Sequence, residues 1–349
     1  MIFHFSFLNK YSVIREKRKE KMKKVYLGNT DIEISPVGLG CMGFTHAYGA
    51  PMDEEEAAKM IRSAYDMGYT FFDTAQRYTG EDENGNTLYN ETVVGMALKD
   101  IRDKVVIATK CGITMVDGVR TLDASPETIK SSLEESLERL QTDYVDLYYL
   151  HSVDPDTPIE TVAETMKELY EAGKIKAWGI SQCDVDTLRR AHSVFPVSAV
   201  QLRYSMLARE EEYIFDTCKE LGVTFVAFSP MANGFLTGKY NASGNYTEKG
   251  DFRAMMPQFT EEGYKANEKL LAYVSALAEK KNATMSQISL AWMENKDIDI
   301  VPIPGSTNPK YLQENFDSCK IEISREEVQE IDRMLDQVAT GPVYKGMRK

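Results

Sequence analysis

Histidine, cysteine and long apolar runs are all scarce in this chain, and each scarcity argues against a class of protein. Only four of its 349 residues are histidine (His4, His46, His151 and His192), so a polyhistidine metal site is not expected. The five cysteines (Cys41, Cys111, Cys183, Cys218 and Cys319) are odd in number, form no Cys-x-x-Cys, and lie at least 35 residues apart. That spacing offers neither a zinc ribbon nor a thioredoxin-like pair, and fits reduced thiols better than a disulfide framework. No apolar stretch reaches the roughly 18 residues that a membrane helix needs. No Gly-x-Gly-x-x-Gly joins an early strand to a helix, which disfavours a doubly wound nucleotide-binding sheet. Basic residues are outnumbered, 41 to 54, giving a net charge of −13 and a pI near 5.0. A general nucleic-acid binder needs the opposite balance.

The start of the chain carries the only hint of targeting. Residues 2–8 are apolar, but no basic segment precedes them and no small-residue cleavage site follows. A charge run, Arg15-Glu16-Lys17-Arg18-Lys19-Glu20-Lys21, comes next. Residues 1–23 therefore read as an extension, with Met22 as the working start, and 24–349 as one domain. The expected location is cytoplasmic.

What the chain does have is alternation. Val25-Tyr26-Leu27 and Ile32-Glu33-Ile34 flank a turn and read as a hairpin. Eight β-rich runs follow, at 37–40, 70–74, 105–110, 145–151, 176–181, 199–204, 224–230 and 299–305. Amphipathic runs lie between them, at 54–67, from Pro126 through Leu140, from Thr157 to Gly173, and at 184–194, 210–221, 260–281 and 308–316. An extra C-terminal helix at 324–335 opens on a Ser-Arg-Glu-Glu capping box. Eight β-α units in a single domain predict an α/β fold, a closed (β/α)8 TIM barrel. The one long irregular stretch, 231–259, follows the seventh strand and contains Gly234, Gly238, Gly244 and Gly250.

In such a barrel the polar residues at the C-terminal strand ends converge on one mouth. Here they are Asp73, Lys110, His151, Ser181, Gln182, Gln201 and Ser229, with Tyr78 in the loop after Asp73. A lysine closing the apolar strand Val105-Val106-Ile107-Ala108-Thr109-Lys110 needs a partner, and Asp73 is the natural one.

These residues resemble those of the aldo-keto reductases, (β/α)8 oxidoreductases that use NADPH or NADH. Asp73-Thr74-Ala75-Gln76-Arg77-Tyr78 matches the family's Asp-x-x-x-x-Tyr element. Ile107-Ala108-Thr109-Lys110 supplies its lysine, and Asp146-Leu147-Tyr148-Tyr149-Leu150-His151 its histidine. The resemblance runs over about residues 24–335 and implies a catalytic tetrad of Asp73, Tyr78, Lys110 and His151. Tyr78 would give the carbonyl oxygen its proton, and Lys110 would lower the phenol pKa from about 10 towards neutrality. Asp73 would hold Lys110 charged, and His151 would orient the carbonyl.

The resemblance also implies a nicotinamide site. Ser181, Gln182 and Gln201 would hold the carboxamide, although many relatives have Asn in place of Gln182. Phe228 would stack on the ring. Ser229, Met231, Gly234 and Lys239 belong to a loop over the pyrophosphate, Cys41 and Met42 lie on the ribose side, and Gly305, Thr307, Glu314 and Asn315 are at the adenosine. Tyr311 stands where many NADPH-using relatives have an arginine for the 2′-phosphate, and Lys310 or Arg253 would replace it. The expected cofactor is NADPH, with NADH as the other option. The expected partner is a small carbonyl compound, not a nucleic acid or a membrane, and oligomeric state is not readable. Substrate choice is assigned to loops 112–124 and 232–259 and the tail after Leu335, with Tyr48, Tyr78, Tyr204 and Phe235 favouring apolar or aromatic carbonyls. The alternative is a nucleotide-holding regulatory or redox-sensor subunit on the same barrel.

Overall fold

A computed structural model describes residues 24–116, 118–240, 246 and 251–337. The extension at 1–23, Gly244, Gly250 and the tail from 338 lie outside them. Eight strands form one all-parallel sheet in sequential order: β1 (Leu39–Gly40), β2 (Phe71–Asp73), β3 (Val106–Cys111), β4 (Leu147–Leu150), β5 (Trp178–Ser181), β6 (Ala199–Arg203), β7 (Thr224–Phe228) and β8 (Ile300–Pro302). The first and last strands are joined at the edges, where Gly38 N donates to the Pro302 carbonyl (2.9 Å) and Gly40 N to that of Pro304 (3.3 Å). This seam depends on glycine. A Cβ on Gly40 would lie 2.6 Å from the Ile303 carbonyl oxygen, so a side chain there would pry the two strands apart.

The N-terminal hairpin, Val25–Tyr26 paired with Glu33–Ile34, forms as expected. Val25, Leu27 and Ile34 join the barrel's inner cluster with Phe71, Val106, Leu147, Tyr149, Val226 and Val301. The hairpin thus plugs one end of the barrel and leaves chemistry to the other. Tyr148 and Tyr149 face opposite ways, as strand alternation requires: Tyr149 points inward, and Tyr148 faces the helical layer, donating to the Ile129 carbonyl at 3.0 Å.

Local chemistry starts and stops the helices. In α1 (Glu54–Met67), Asp53 accepts from the amides of Glu55 and Glu56, and Gly68 ends the helix at φ 124°. The helix α3 (Pro126–Leu140) begins at a Ser125 cap with Pro126 in its first turn. At α4 (Ile159–Glu171) the matching device does not form. Thr157 Oγ1 is drawn to Asp154 instead (2.7 Å), and Pro158 occupies the cap without a side-chain bond. The run at 210–221 is also interrupted: a 3-10 turn, Glu210–Ile214, precedes α6 (Phe215–Leu221). The capping box at Ser324 and Glu327 is present in both directions and opens α10 (Arg325–Gln337).

Two helices carried no readable period: α2 (Asn90–Leu98) and α8 (Met285–Glu294). Both are buried on nearly every face, so neither has the polar stripe that marks a surface helix. Helices α5 (Val185–Val194), α7 (Glu261–Lys281) and α9 (Pro309–Phe316) complete the outer layer. Two further hairpins rise at the mouth: Thr79–Glu81 with Thr87–Tyr89 after β2, and Ile113–Val116 with Val119–Leu122 after β3. The second lies within the 112–124 stretch assigned to substrate choice.

Helix α2 carries a buried acid behind β3. Glu91 is 1% exposed. Its carboxylate accepts from Arg139 Nε of α3 (2.7 Å) and from Thr109 Oγ1 of β3 (2.5 Å). Glu91→Gln leaves Arg139 with only the exposed Glu135 as counter-charge, at a cost of about 3 kcal/mol. Urea denaturation should show the loss, and a variant as stable as the native chain would mean that the pair contributes nothing.

Candidate active site

The strand register brings the sequence-predicted residues together. Asp73 ends β2 beside Gly40 of β1 and Ala108 of β3, Lys110 of β3 pairs with Tyr149 of β4, and Ser181 of β5 pairs with Gln201 of β6. Lys110 is fully buried. Its Nζ donates to Asp73 Oδ1 (2.5 Å), the Thr74 carbonyl (2.8 Å) and the Tyr78 hydroxyl (3.2 Å). The second Asp73 oxygen accepts from Gln201 Nε2 at 2.8 Å. The His151 ring stands edge-on to the Tyr78 ring, 5.8 Å between centroids.

Burial alone would drive the proton off Lys110, but its attraction to Asp73 and Tyr78 prevails and lifts its pKa above the ordinary lysine value. Burial also raises Asp73, opposed by Lys110 and Gln201. Tyr78 departs from the expectation. Burial lifts the phenol above its usual value, and Lys110 pulls against that without reversing it. His151 is pushed well below the ordinary histidine value, first by burial and then by Lys110, Arg120 and Arg77. Its Nδ1 has no hydrogen-bond partner among the described residues. At neutral pH the cluster therefore holds a charged lysine, a protonated phenol and a neutral imidazole.

Two residues that the sequence did not single out hold Tyr78 in place. Asn90, fully buried, donates through Nδ2 to the Cys41 carbonyl (2.8 Å) and Thr45 Oγ1 (3.0 Å), while its backbone N–H donates to the Tyr78 carbonyl (2.9 Å). His46 lies nearly parallel to the Tyr78 ring at 6.2 Å and is anchored by Nδ1 to the Thr79 carbonyl (2.8 Å). No local spacing announces either contact, because each is made by a loop folding back.

The candidate cofactor residues lie at or after the C-terminal ends of β5 to β8 and of β1. Ser181 is buried, and its helix is capped by Asp184 (Oδ1 to Thr187 N, 2.8 Å), so the serine is not the cap. Gln182 is exposed, with a positive φ of 56°. Its Nε2 reaches Ser152 Oγ at 3.4 Å. Gln201 spends its amide on Asp73. Phe228 is the one half-exposed residue of β7, opening an aromatic face at the strand end. Beyond it the backbone turns left-handed at Ser229, Ala232, Asn233 and Gly234, conformations of the kind that shape anion-binding concavities, with the Ala232 and Gly234 amides donating within the turn to the Ser229 and Met231 carbonyls. Cys41 is buried, and Met42 opens a short 3-10 turn. Gly305 and Thr307 are exposed, and Asn315 is buried with Nδ2 lacking a partner among the described residues.

The charges near the adenosine end differ from expectation. Arg253 is bound by its neighbour Asp251 through Nε and Nη2 (2.6 Å at the shortest) and is surrounded by the rings of Tyr48, Tyr240 and Tyr246. Its charge is already matched. Lys239 lies 3.2 Å over the Tyr311 ring and 3.8 Å from Glu314, and Lys310 lies 3.7 Å from the same glutamate. The aromatic expectation also needs correction. Tyr204 stacks on Trp292 and donates to Glu212, and Phe235 packs on Phe259 and Tyr264. Both are core residues and line no open surface.

A closed parallel barrel with a buried lysine-carboxylate pair at its mouth defines a barrel enzyme, and comparison with known proteins gives the family. The profile of the aldo/keto reductase family matches residues 36–336, and the chain belongs to that family of oxidoreductases. A probable aldo-keto reductase of Glycine max is 38% identical over 332 residues, covering 94% of this chain and 93% of that protein. Among solved structures, an aldo-keto reductase of Bacillus halodurans in its holo form is similar, with a TM-score of 0.73, 27% identity and coverage of 94% and 100%. A glycerol dehydrogenase of Gluconobacter oxydans shares the fold, with a TM-score of 0.81, 23% identity and coverage of 93% and 99%.

Cys41 and Cys183 follow strands at the mouth and Cys111 ends β3, and all three are buried between the sheet and the helices. Burial raises the thiols of Cys41 and Cys183, and pushes Cys111 up to about 12. Since the thiolate is the reactive form, iodoacetamide at neutral pH should label none of the three in the folded protein and all three in urea. Labelling of Cys41 within minutes in the native state would contradict this environment.

Proposed function

We propose that this chain reduces aldehydes or ketones to alcohols with NADPH, using Tyr78 as the proton donor. The observation that carries the reading is the Lys110 ammonium, held by Asp73 and bonded to the Tyr78 hydroxyl at the barrel mouth, with His151 beside it. A nicotinamide cofactor, when bound, supplies the hydride. The donor set fits such a group. Ser181 and Gln182 offer amide-binding groups, Phe228 an open ring, the left-handed run after β7 a cradle for phosphates, and Asn315 an unsatisfied buried amide.

The residues divide the work. A carbonyl oxygen gaining negative charge takes its proton from Tyr78, and Lys110 stabilises the phenolate left behind. Neutral His151 has a proton to share in a hydrogen bond but is not the acid, because its environment disfavours the imidazolium. Lys239 and Lys310, on either side of Tyr311 and Glu314, are the cations assigned to the 2′-phosphate in place of Arg253. A lysine grips phosphate as a point charge and without the geometry of an arginine fork, so the preference over NADH is modest.

Fluorescence titration tests the cofactor. NADPH should bind in the micromolar range and NADH several-fold more weakly, and Lys310→Gln should narrow the gap. Binding of neither nucleotide would refute the proposal, and tight binding with no turnover of any carbonyl would favour a sensor role.

The acid is tested by substitution and pH. Tyr78→Phe should keep NADPH affinity and lose about 10²-fold or more in kcat. Because the raised phenol must be protonated to act, kcat/KM for reduction should stay level through neutral pH. It should fall only as pH rises past the ordinary tyrosine range. A fall centred near pH 7 would assign the proton to another group.

A further inference from the structure

The arginines of this acidic chain are mostly neutralised. Eight of the described arginines hold a carboxylate within ion-pair distance. Of the remaining four, Arg325 and Arg333 belong to the outer helix α10. The other two, Arg77 and Arg120, both stand at the barrel mouth.

Their positions are specific. Arg77 immediately precedes Tyr78 in the β2 loop. Arg120 lies on the hairpin after β3, and its Nη2 donates to Ser152 Oγ (3.2 Å), the residue next to His151. Three carboxylates of the neighbouring loops face elsewhere. Asp82 binds the amides of Asn84 and Asn86, Asp123 binds Ser125 N and Thr128 Oγ1, and Asp154 binds Ala124 N, Asp156 N and Thr157 Oγ1. Both guanidiniums nevertheless act on His151, helping to keep it neutral. They come from the β2 and β3 side of the mouth, whereas the candidate nucleotide residues come mainly from β5 to β8.

We infer that Arg77 and Arg120 bind an anionic oxygen group, a carboxylate or a phosphate, on the carbonyl substrate itself. The inference rests on the reductase reading. A guanidinium offers paired N–H donors matched to both groups, and two such cations, Arg77 half-buried and Arg120 exposed, with no ion-pair partner among the described residues, favour an anion at the mouth. The chain's overall negative charge gives no such attraction, so the selection is local. The anion anchors one end of the substrate while the carbonyl lies against Tyr78 and His151.

Paired probes provide the test. The first pair is 4-carboxybenzaldehyde and its methyl ester, and the second is glyceraldehyde 3-phosphate and glyceraldehyde. The readout is the ratio of kcat/KM within each pair, which cancels general damage to the site. The native enzyme should favour at least one charged member by about tenfold or more, as a charge-assisted hydrogen bond allows. Which pair shows it identifies the anion. Arg120→Gln and Arg77→Gln should each lower that ratio several-fold, mainly through KM, and Arg120→Glu should invert it. NADPH affinity should stay unchanged, which separates substrate from cofactor binding. Should the variants not fold, the native ratio must still fall as salt rises from about 0.05 to about 0.5 M. Reduction of all four probes without charge preference would overturn the inference and leave the reductase reading standing. Reduction of none, with either nucleotide, would overturn both.

Discussion

The ion pair between Lys110 and Asp73 is the constraint around which the mouth is built. Both side chains are out of contact with water, at 0% and 2% exposure. Taking two charges out of water costs several kcal/mol for each ion after relaxation, and only close pairing and further hydrogen bonds recover it. The recovering contacts come from both sides of the barrel: Asp73 ends β2, the Thr74 carbonyl and Tyr78 follow it in the β2 loop, and Gln201 reaches across from β6. The pair is tolerable only in a closed barrel that brings those elements within hydrogen-bond reach. Closure in turn depends on the bare glycine seam of β1 and β8.

The same burial sets the protonation states that the proposed chemistry needs. A phenol in water beside an ammonium would ionise more easily. Here desolvation disfavours the phenolate more than Lys110 favours it, so Tyr78 rests protonated and ready to donate. Desolvation acts in the opposite sense on His151, which loses its charge and keeps a hydrogen bond to offer. One physical cause thus separates an acid from a neutral donor a few ångströms apart, the pattern by which sites assign roles to neighbouring titratable groups.

The strands and the cluster of Asp73, Tyr78, Lys110 and His151 were legible because their signals are local. A β-rich run of five to seven residues ending on Asp, Lys or His is visible without tertiary knowledge, and the barrel follows from counting such runs. What escaped lies where tertiary packing overrides local pattern. Helices α2 and α8 lack a polar face because the surrounding elements bury them on nearly every side. Thr157 looks like a cap until Asp154 claims it. Arg253 looks like a phosphate ligand until Asp251, two residues away, neutralises it. Tyr204 and Phe235 look like pocket aromatics, but their partners Trp292, Phe259 and Tyr264 are distant in sequence. Asn90 escaped for a related reason. Its importance lies in joining Cys41, Thr45 and Tyr78, contacts that only the folded chain creates.

Commitment of the strand ends has a consequence for specificity. Asp73, Lys110 and Gln201 are bound to one another, and Gln182 turns towards Ser152. Few strand-end side chains are left with a free polar group to recognise the rest of a substrate. Recognition beyond the carbonyl must then come from the loops above, and in this chain two of those loops are built out into hairpins after β2 and β3. A hairpin holds a side chain more firmly than an irregular loop of the same length, because its backbone is paired across the turn. Arg120 sits on such a frame, with Ser152 fixing its tip. On the proposed reading, reaction and selection are thus separable: the barrel fixes the acid, and paired strands above it present the charge that would choose what the acid meets.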